Sequence, residues 1–286
     1  MQFGINTFLW TESFGSKDFH LLDEVRAHGF DGVEVSLFRA AEFEAGAIRK
    51  ALVENQLQCT VCSVLPRGLS LLSGDSAVRN GTITHLADCI KAAAEAGAHI
   101  IAGPLYSPVG YLSGRRRTAE EWKRAVDAYQ QLGPVLHEYD VQLGIEPLNR
   151  FETYFLNTTE DAVRLCAEVG HPNVGILWDT FHANIEEKNI GEALRTTGSH
   201  LKHVHTCEND RGTPGSGHVD WAGVASALKY LNYNGWLTIE SFGFALGDLA
   251  AAASIWRDLA ATPEEIAWKG IQFLKASVAP QVSNAI

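Results

Sequence analysis

Eight strand-like runs, each followed by a helix-like run, repeat along the 286 residues of the chain. The strand-like runs are short, apolar and alternating. The helix-like runs carry caps and stops, such as the TAEE pattern that begins at Thr118 and the glycine at position 170. Eight such units with short linkers favour a closed barrel over an open doubly wound sheet. The sequence therefore predicts an α/β fold, a single-domain (β/α)₈ barrel of the TIM type over residues 1–286.

The element bounds follow from the same patterns. The strands are predicted at 3–9, 31–37, 58–65, 99–105, from 141 onward, 174–180, 201–207 and 236–241. The helices are predicted at 18–28, 40–56, 77–97, 118–139, 158–169, 190–197 and 221–231. C-terminal helices over about 248–278, interrupted near Thr262 and Pro263, are expected to close the barrel. No GxGxxG follows the first strand, which argues against a nucleotide-binding sheet.

Composition and charge exclude several classes of protein. The formal net charge is −11 and no block of Lys or Arg is present, so a nucleic-acid partner is not expected. No apolar run approaches the length of a membrane span, and Met1 leads directly into a strand-like run, so we expect no membrane partner and a cytoplasmic protein. Cys59 and Cys62 form a CxxC, but an extended run sends them to opposite faces. We expect ordinary buried thiols there.

Ionisable residues end the last four predicted strands. Glu146, Asp179, His205 and Glu240 follow the apolar residues of strands five to eight in turn. The carboxyl ends of barrel strands meet at one rim, where the chemistry of such folds sits. An Asp at a strand end can simply cap a helix, but four matching positions on successive strands favour a shared site. Three carboxylates at one rim repel one another unless a cation is present.

The donor set favours a divalent ion of intermediate hardness. Three carboxylate oxygens and one imidazole suit Mn²⁺ best, with Co²⁺, Mg²⁺ or iron as alternatives, whereas zinc more often recruits further His or Cys. We therefore predict one divalent ion as the cofactor. His203 lies deeper on the same face as His205, and we expect it to support the site or pack against it rather than bind the ion.

The motifs around this rim resemble those of a known family. GIEPLNRFE, LWDTFHANIEE and HVHTCENDR, followed by IESF and IWRDL, resemble the ketose 3-epimerases, the group that includes the D-tagatose, D-psicose (allulose) and L-ribulose 3-epimerases. These enzymes belong to the xylose-isomerase-like sugar isomerase barrels. The resemblance spans residues 141–260, and GINTFLW and GFDGVEV extend it faintly into the N-terminal half.

The resemblance implies a role for each matching residue. It implies that Glu146, Asp179, His205 and Glu240 bind the metal, with Glu146 and Glu240 also transferring protons. It further implies that Glu152, His182 and Arg211 hold the hydroxyls of a small-molecule ketose. Asn6 is assigned to the substrate site because it lies where members often have an aromatic that touches substrate. Asn6, Pro147 and Ser241 depart from the family pattern and leave the preferred sugar open. The family habit also implies a homodimer or homotetramer, with Trp256 and Trp268 as contact or core residues.

Inversion at C3 explains why two glutamates are needed. Removal of the C3 proton gives an enediolate whose charge a divalent ion can hold as a Lewis acid. The proton leaves one face and another arrives on the opposite face, which one base cannot reach alone. Glutamates on strands five and eight stand apart across the barrel mouth, one for each face.

Other activities stay open at this point. A metal-dependent aldose–ketose isomerase of the hydroxypyruvate or xylose isomerase type could use the same ligands with one base. An endonuclease IV-like phosphodiesterase would need a basic groove, and the net charge of −11 argues against it. A catalytically inactive sugar-binding protein would not need paired carboxylates beside a metal. The loop FGFALGDLA carries no Lys or Arg, whereas residues 212–217 could form an anion nest or a mobile cover, so we favour an unphosphorylated ketose.

Overall fold

Eight parallel strands form a closed barrel in sequence order, which confirms the predicted (β/α)₈ fold. The computed structural model describes residues 1–243 and 247–278. Strand one pairs with strand eight, with Gln2 opposite Trp236, and this pairing closes the sheet. The strands are β1 Gln2–Asn6, β2 Gly32–Ser36, β3 Gln58–Cys62, β4 Ile100–Gly103, β5 Gln142–Ile145, β6 Val174–Asp179, β7 Leu201–Thr206 and β8 Trp236–Ile239.

Helices follow the strands around the outside of the barrel. They are α1 Leu21–Ala27, α2 Ala45–Glu54, α3 Ser76–Glu95, α4 Ala119–Glu138, α5 Thr159–Val169, α6 Thr180–Glu186, α7 Ile190–Thr196, α8 Trp221–Tyr230, α9 Gly247–Ala252 and α10 Pro263–Ser277. None of the helices in the part of the chain that the structure describes is both long and apolar enough to cross a bilayer. Positions 244–246 of the FGFALGDLA loop, and residues 279–286 of the predicted domain, lie outside the described residues.

Several predicted strands are shorter in the structure, and three regions differ from the prediction in other ways. The first strand ends at Asn6, whose side chain accepts a hydrogen bond from the Phe8 amide and starts a 3₁₀ turn. The helix predicted at 40–56 is divided into a 3₁₀ turn, Ala40–Glu42, and α2. Helix α6 was not predicted as a helix, since its residues follow β6 without a break.

Side-chain caps fix where two helices begin. Thr118 Oγ1 accepts from the Glu121 amide at 3.2 Å, and Glu121 Oε2 accepts from the Thr118 amide at 2.8 Å, so the predicted capping box starts α4. Thr158 caps α5 through its hydroxyl alone, which accepts from the Asp161 amide at 3.3 Å. Helix α5 ends at Gly170, which adopts the left-handed conformation at φ 66°.

The barrel interior is apolar at one end and polar near the carboxyl ends of the strands. Ile100, Ala102, Leu177 and Trp236 form a small buried cluster inside the barrel. Gly32 leaves room for this cluster, since a Cβ there would lie 2.7 Å from the Trp236 ring. A separate, much larger core contains buried residues of both the sheet and the helices. Polar interior side chains lie toward the carboxyl ends of the strands, where the candidate site begins.

Candidate active site and metal centre

The structure brings the four predicted ligand residues together. Glu146, Asp179, His205 and Glu240 are all buried, and each offers one ligand atom within 4.8 Å of the others. Asp179 and His205 lie at the ends of β6 and β7, while Glu146 and Glu240 directly follow β5 and β8. The arrangement arises because parallel strands of one barrel end at one rim.

Asp179 uses its two carboxylate oxygens for different tasks. Oδ1 accepts from the Phe181 amide at 2.7 Å and caps α6. Oδ2 faces the site and accepts from Arg211 Nη1 at 2.7 Å. Asp179 therefore caps α6 and still presents one oxygen to the site, and its role as a metal ligand stays a prediction. Cys207 Sγ lies 3.2 Å from Oδ1 and donates to it.

Arg211 is the cationic side chain of the cavity. Arg211 is buried, and its backbone has a positive φ of 67°. Its side chain points from the strand-seven loop into the site. Nη1 donates to both Asp179 and Glu240. The guanidinium lies 4.1 Å from the centre of the Phe181 ring and 5.3 Å from that of Phe242. Two carboxylates and two aromatic rings thus fix its orientation.

His182 is neutral and has a defined tautomer. Burial and the neighbouring Arg211 lower its pKa to about 3. The Asn149 amide donates to Nδ1 at 3.0 Å, so the single ring proton lies on Nε2. Nε2 faces Glu146 Oε1 at 3.6 Å and Arg211 Nη2 at 3.0 Å. Asn149 Nδ2 also donates to Glu152 Oε1 at 2.8 Å and so fixes that carboxylate.

The two glutamates have pKa values driven in opposite directions. Burial, followed by repulsion from Glu240, raises the pKa of Glu146 well above its usual value. Burial also opposes the charge on Glu240, but His205 and Arg211 outweigh it and lower the pKa of Glu240 to about 2. The surroundings thus favour the protonated form of Glu146 and the charged form of Glu240. Such a pair can act as acid and base.

The donor set fits a divalent cation. His205 Nδ1 is buried, faces Glu240 Oε1 at 3.4 Å and finds no hydrogen-bond partner among the described residues. Its other nitrogen, Nε2, is bound to Glu34 Oε1 at 2.7 Å. A histidine held through one nitrogen and open at the other, beside three carboxylates, is the arrangement typical of a metal ligand. The ligand roles themselves stay predictions.

Sequence reasoning missed Glu34, which lies on β2 inside the barrel with 0% exposure. His205 and His203 hold the pKa of this carboxyl well below its usual value, against the effect of burial. His203 Nε2 lies 2.7 Å from Glu34 Oε2, and His203 is outside the group of four. The available signal was the position of Glu34 between Val33 and Val35, on the interior face of an apolar strand.

Asn6 also belongs to this interior network. Its Nδ2 donates to Glu34 Oε1 at 2.9 Å and to Cys62 Sγ at 3.4 Å. Among the described residues, Asn6 is not one of those that line the cavity. Its predicted contact with substrate stays a prediction. Cys59 and Cys62 are free and buried, which confirms the expectation of ordinary thiols.

The cavity above the ligands has a polar end and an apolar wall. Its volume is about 120 Å³. The polar end contains Glu146, Glu152, His182, Arg211 and Glu240. The apolar wall contains Phe8, Phe38, Val64, Pro104, Val109, Leu148, Phe242, Leu249, Ala252 and Ala253. Three rings of this wall, which the sequence did not single out, stack at 5.6 and 5.8 Å between centroids: Phe242, Phe8 and Phe38.

Residues 212–217 pack beside the barrel rather than over the cavity. Glu208 is buried and accepts from the Gly215 amide at 2.8 Å, the Val219 amide at 2.8 Å and Trp221 Nε1 at 2.9 Å. A Cβ on Gly215 would meet the Phe273 ring of α10. The candidate anion nest of this loop is therefore filled by the chain's own carboxylate.

Comparisons with known proteins agree with this architecture. The family model described as the xylose isomerase-like TIM barrel matches residues 22–277. A probable ketose 3-epimerase of Synechocystis sp. is 36% identical over 275 residues, 96% of this chain and 96% of the relative. An L-ribulose 3-epimerase of Mesorhizobium japonicum is 30% identical over 259 residues, 90% of this chain and 87% of the relative.

The solved structures give the same result. The structure of a D-psicose 3-epimerase with D-tagatose, from Clostridium cellulolyticum, has a TM-score of 0.89 at 29% identity, over 97% of this chain and 99% of that one. The motifs that resembled the ketose 3-epimerases thus lie in a chain that matches such enzymes over nearly its whole length. The chain belongs to the xylose isomerase-like TIM barrel family and, within it, to the ketose 3-epimerases, which are isomerases.

Proposed function

We propose that this chain is a metal-dependent epimerase that inverts C3 of a free ketohexose or ketopentose, with Glu146 and Glu240 as the two proton-transfer groups. One observation carries the proposal. Glutamates that follow β5 and β8 meet at a candidate metal site with their pKa values driven apart. Reversible proton transfer at a carbon needs both an acid and a base at neutral pH.

Glu146, Asp179, His205 and Glu240 would hold the ion, and Mn²⁺ is the proposed metal, with Co²⁺ or Mg²⁺ as alternatives. When bound, a divalent ion supplies a Lewis acid that lowers the cost of negative charge on the oxygens at C2 and C3. Burial of all four residues excludes water from the charges and strengthens their interactions.

The opposite pKa shifts suggest a separate role for each glutamate. In one direction Glu240, whose surroundings favour the charged form, accepts the C3 proton from one face of the sugar. Glu146, whose surroundings favour the protonated form, then donates to the opposite face. In the reverse reaction the two exchange roles, because each ends the forward step in the other's initial state.

The substrate hydroxyls would be held by three further residues. Arg211 Nη2 and His182 Nε2 both donate and lie 3.0 Å apart, so an acceptor oxygen of the sugar can take a hydrogen bond from each. Glu152 lines the cavity, and its Oε2 has no role in the Asn149 contact. That oxygen can accept from a sugar hydroxyl.

A free sugar suits the cavity better than a sugar phosphate. Within the described residues that line it, the one cation is Arg211, whose Nη1 already pairs with Asp179 and Glu240. The loop that could have formed an anion nest is occupied by Glu208. A phosphate would therefore meet carboxylates and phenylalanines without a free counterion.

Incubation of the Mn²⁺-loaded protein with fructose, tagatose and ribulose in deuterated water tests the proposal. NMR is expected to locate deuterium at C3 of both the substrate and its C3 epimer. Deuterium at C1 or C2 of an aldose product would instead support the one-base aldose–ketose isomerase and overturn the assignment. Binding of a ketose without exchange at C3 would also contradict it.

Three finer features are proposed on the sequence and the family resemblance. The preferred ketose stays open between the hexuloses and pentuloses, since Asn6, Pro147 and Ser241 depart from the family pattern. A homodimer or homotetramer and a cytoplasmic location stay predictions.

The two tryptophans named as contact or core residues differ in their surroundings. Trp268 stacks on His28 at 3.8 Å inside its own chain, whereas Trp256 is 77% exposed.

A further inference from the structure

Glu34 is a buried carboxylate that the proposed reaction does not use. It lies on β2, whereas its partner His205 lies on β7, and these strands are not neighbours in the barrel. Its side chain therefore reaches across the interior to the far nitrogen of a proposed metal ligand. A charged group with 0% exposure is costly unless each oxygen is bonded.

Both oxygens of Glu34 are occupied. Oε1 accepts from His205 Nε2 at 2.7 Å and from Asn6 Nδ2 at 2.9 Å. Oε2 accepts from Thr60 Oγ1 at 3.1 Å. His203 Nε2 also lies 2.7 Å from Oε2, but outside the angular range of a hydrogen bond. The carboxylate is thus fixed by neighbours on three strands.

The contacts of Glu34 with His203 and His205 are direct side-chain contacts rather than a second ion site. Glu34, His203 and His205 offer atoms close enough to hold a cation. Two ligands of one ion at about 2.1 Å each, however, stand about 3 Å or more apart. The N···O separations of 2.7 Å are shorter than that, so the side chains touch directly, and the contact between His205 and Glu34 matches a charge-assisted hydrogen bond.

The bond to Glu34 decides which nitrogen of His205 faces the ligand cluster. Nε2 is committed to Glu34, and Nδ1 lies 3.4 Å from Glu240 Oε1 without a partner in the described part of the chain. A carboxylate behind a ligating imidazole fixes its tautomer and makes the free nitrogen a stronger donor.

We propose that Glu34 is a positioning residue of the metal centre, which holds His205 through Nε2 and presents Nδ1 to the ion. The inference rests on the proposed metal-dependent function but goes beyond its ligand set. It identifies Nδ1 of His205 as the nitrogen that binds the ion. It also makes the affinity for the metal depend on a residue outside the four ligands.

The test measures Mn²⁺ affinity by titration calorimetry on the full chain, without sugar. Glu34→Gln keeps the size of the side chain but loses its charge, and we expect the Mn²⁺ dissociation constant to rise about 10- to 100-fold. Thr238→Val is the matched control. Thr238 is equally buried inside the barrel, and within the described residues its hydroxyl has no partner, so the control is expected to stay within about threefold of wild type.

Thermal melting of each variant without metal separates folding from binding. A Glu34→Gln protein that folds and binds Mn²⁺ within threefold of wild type would overturn the inference but leave the proposed function intact. A wild-type chain that binds no divalent ion would overturn both.

A second measurement needs no variant. NMR of the Zn²⁺-loaded, ¹⁵N-histidine-labelled chain is expected to show His205 with a proton on Nε2 and the ion on Nδ1. The reverse assignment, with the ion on Nε2, would overturn the inference even if Glu34→Gln failed to fold.

Discussion

His182 Nε2 and Arg211 Nη2 lie 3.0 Å apart, and both are hydrogen-bond donors because the Asn149 amide donates to His182 Nδ1. Two donors in this position need an acceptor, which a sugar oxygen can provide. Donors aimed at an oxygen that gains charge in the transition state contribute about 10²- to 10³-fold to the rate. Arg211→Met is therefore expected to lower kcat/KM for the preferred ketose by about that factor.

The control for Arg211 is Arg257, on the rim of the site. Arg257 pairs with Asp210 at 2.8 Å, and its side chain is 69% exposed. Arg257→Met is expected to keep kcat/KM within about threefold of wild type. If Arg211→Met kept more than a tenth of wild-type kcat/KM, the two converging donors would have no role in the reaction.

Replacement of Glu240 by Gln separates the two-base scheme from a one-base isomerase. The amide keeps the shape of the side chain but cannot accept the C3 proton, and general-base catalysis contributes about 10²- to 10⁴-fold. We expect epimer formation, measured by NMR, to fall by at least about 10²-fold. Glu138→Gln, at an exposed position at the end of α4, is the control. Full epimerase activity in Glu240→Gln would rule out this glutamate as a base.

The rim of the barrel was predictable because it depends on local patterns alone. Period-two alternation gives the strand, and the first ionisable residue after the apolar run marks its carboxyl end. Glu146 and Glu240 could be placed at the rim of the barrel in this way. Closure of the sheet then brings the ends of consecutive strands together without further information.

The features that were missed depend on contacts across the barrel. Glu34 matters because it reaches His205, and no spacing in the sequence links positions 171 residues apart. Phe8, Phe38 and Phe242 form one wall only when loops from three strands converge. Local pattern cannot supply such pairings, since they arise from the three-dimensional path of the chain.

The capping box of α4 gives a prediction for stability against pH. Hydrogen bonds from Arg115, at 2.8 and 3.0 Å, together with those from Thr118 and Tyr154, lower the pKa of Glu121 to about 2 from the usual 4.5. Because the folded pKa is the lower one, this stabilisation is present above pH 4.5 and is lost as the pH falls toward 2.

Glu121→Gln is expected to lower the free energy of unfolding by about 1 kcal/mol at neutral pH, because Arg115 is half-exposed and solvent screens the pair. Denaturant unfolding at pH 7 and pH 3 measures the effect, and the difference from wild type should shrink at the lower pH. Glu138→Gln, at an exposed position at the end of the same helix, is the control. An equal difference at both pH values would contradict the assignment.

The apolar wall gives a prediction for how the C6 hydroxyl of a hexulose affects kcat/KM. In the proposed reaction C3 lies between Glu146 and Glu240 at the polar end, and we propose that C6 extends toward the stacked rings of Phe8 and Phe242. A hydroxyl buried without a partner costs about 1 to 3 kcal/mol. A 6-deoxyketohexose is therefore expected to show a kcat/KM equal to that of its parent sugar or up to about tenfold higher. A loss of more than tenfold on removal of this hydroxyl would show that the wall hides a polar partner for it.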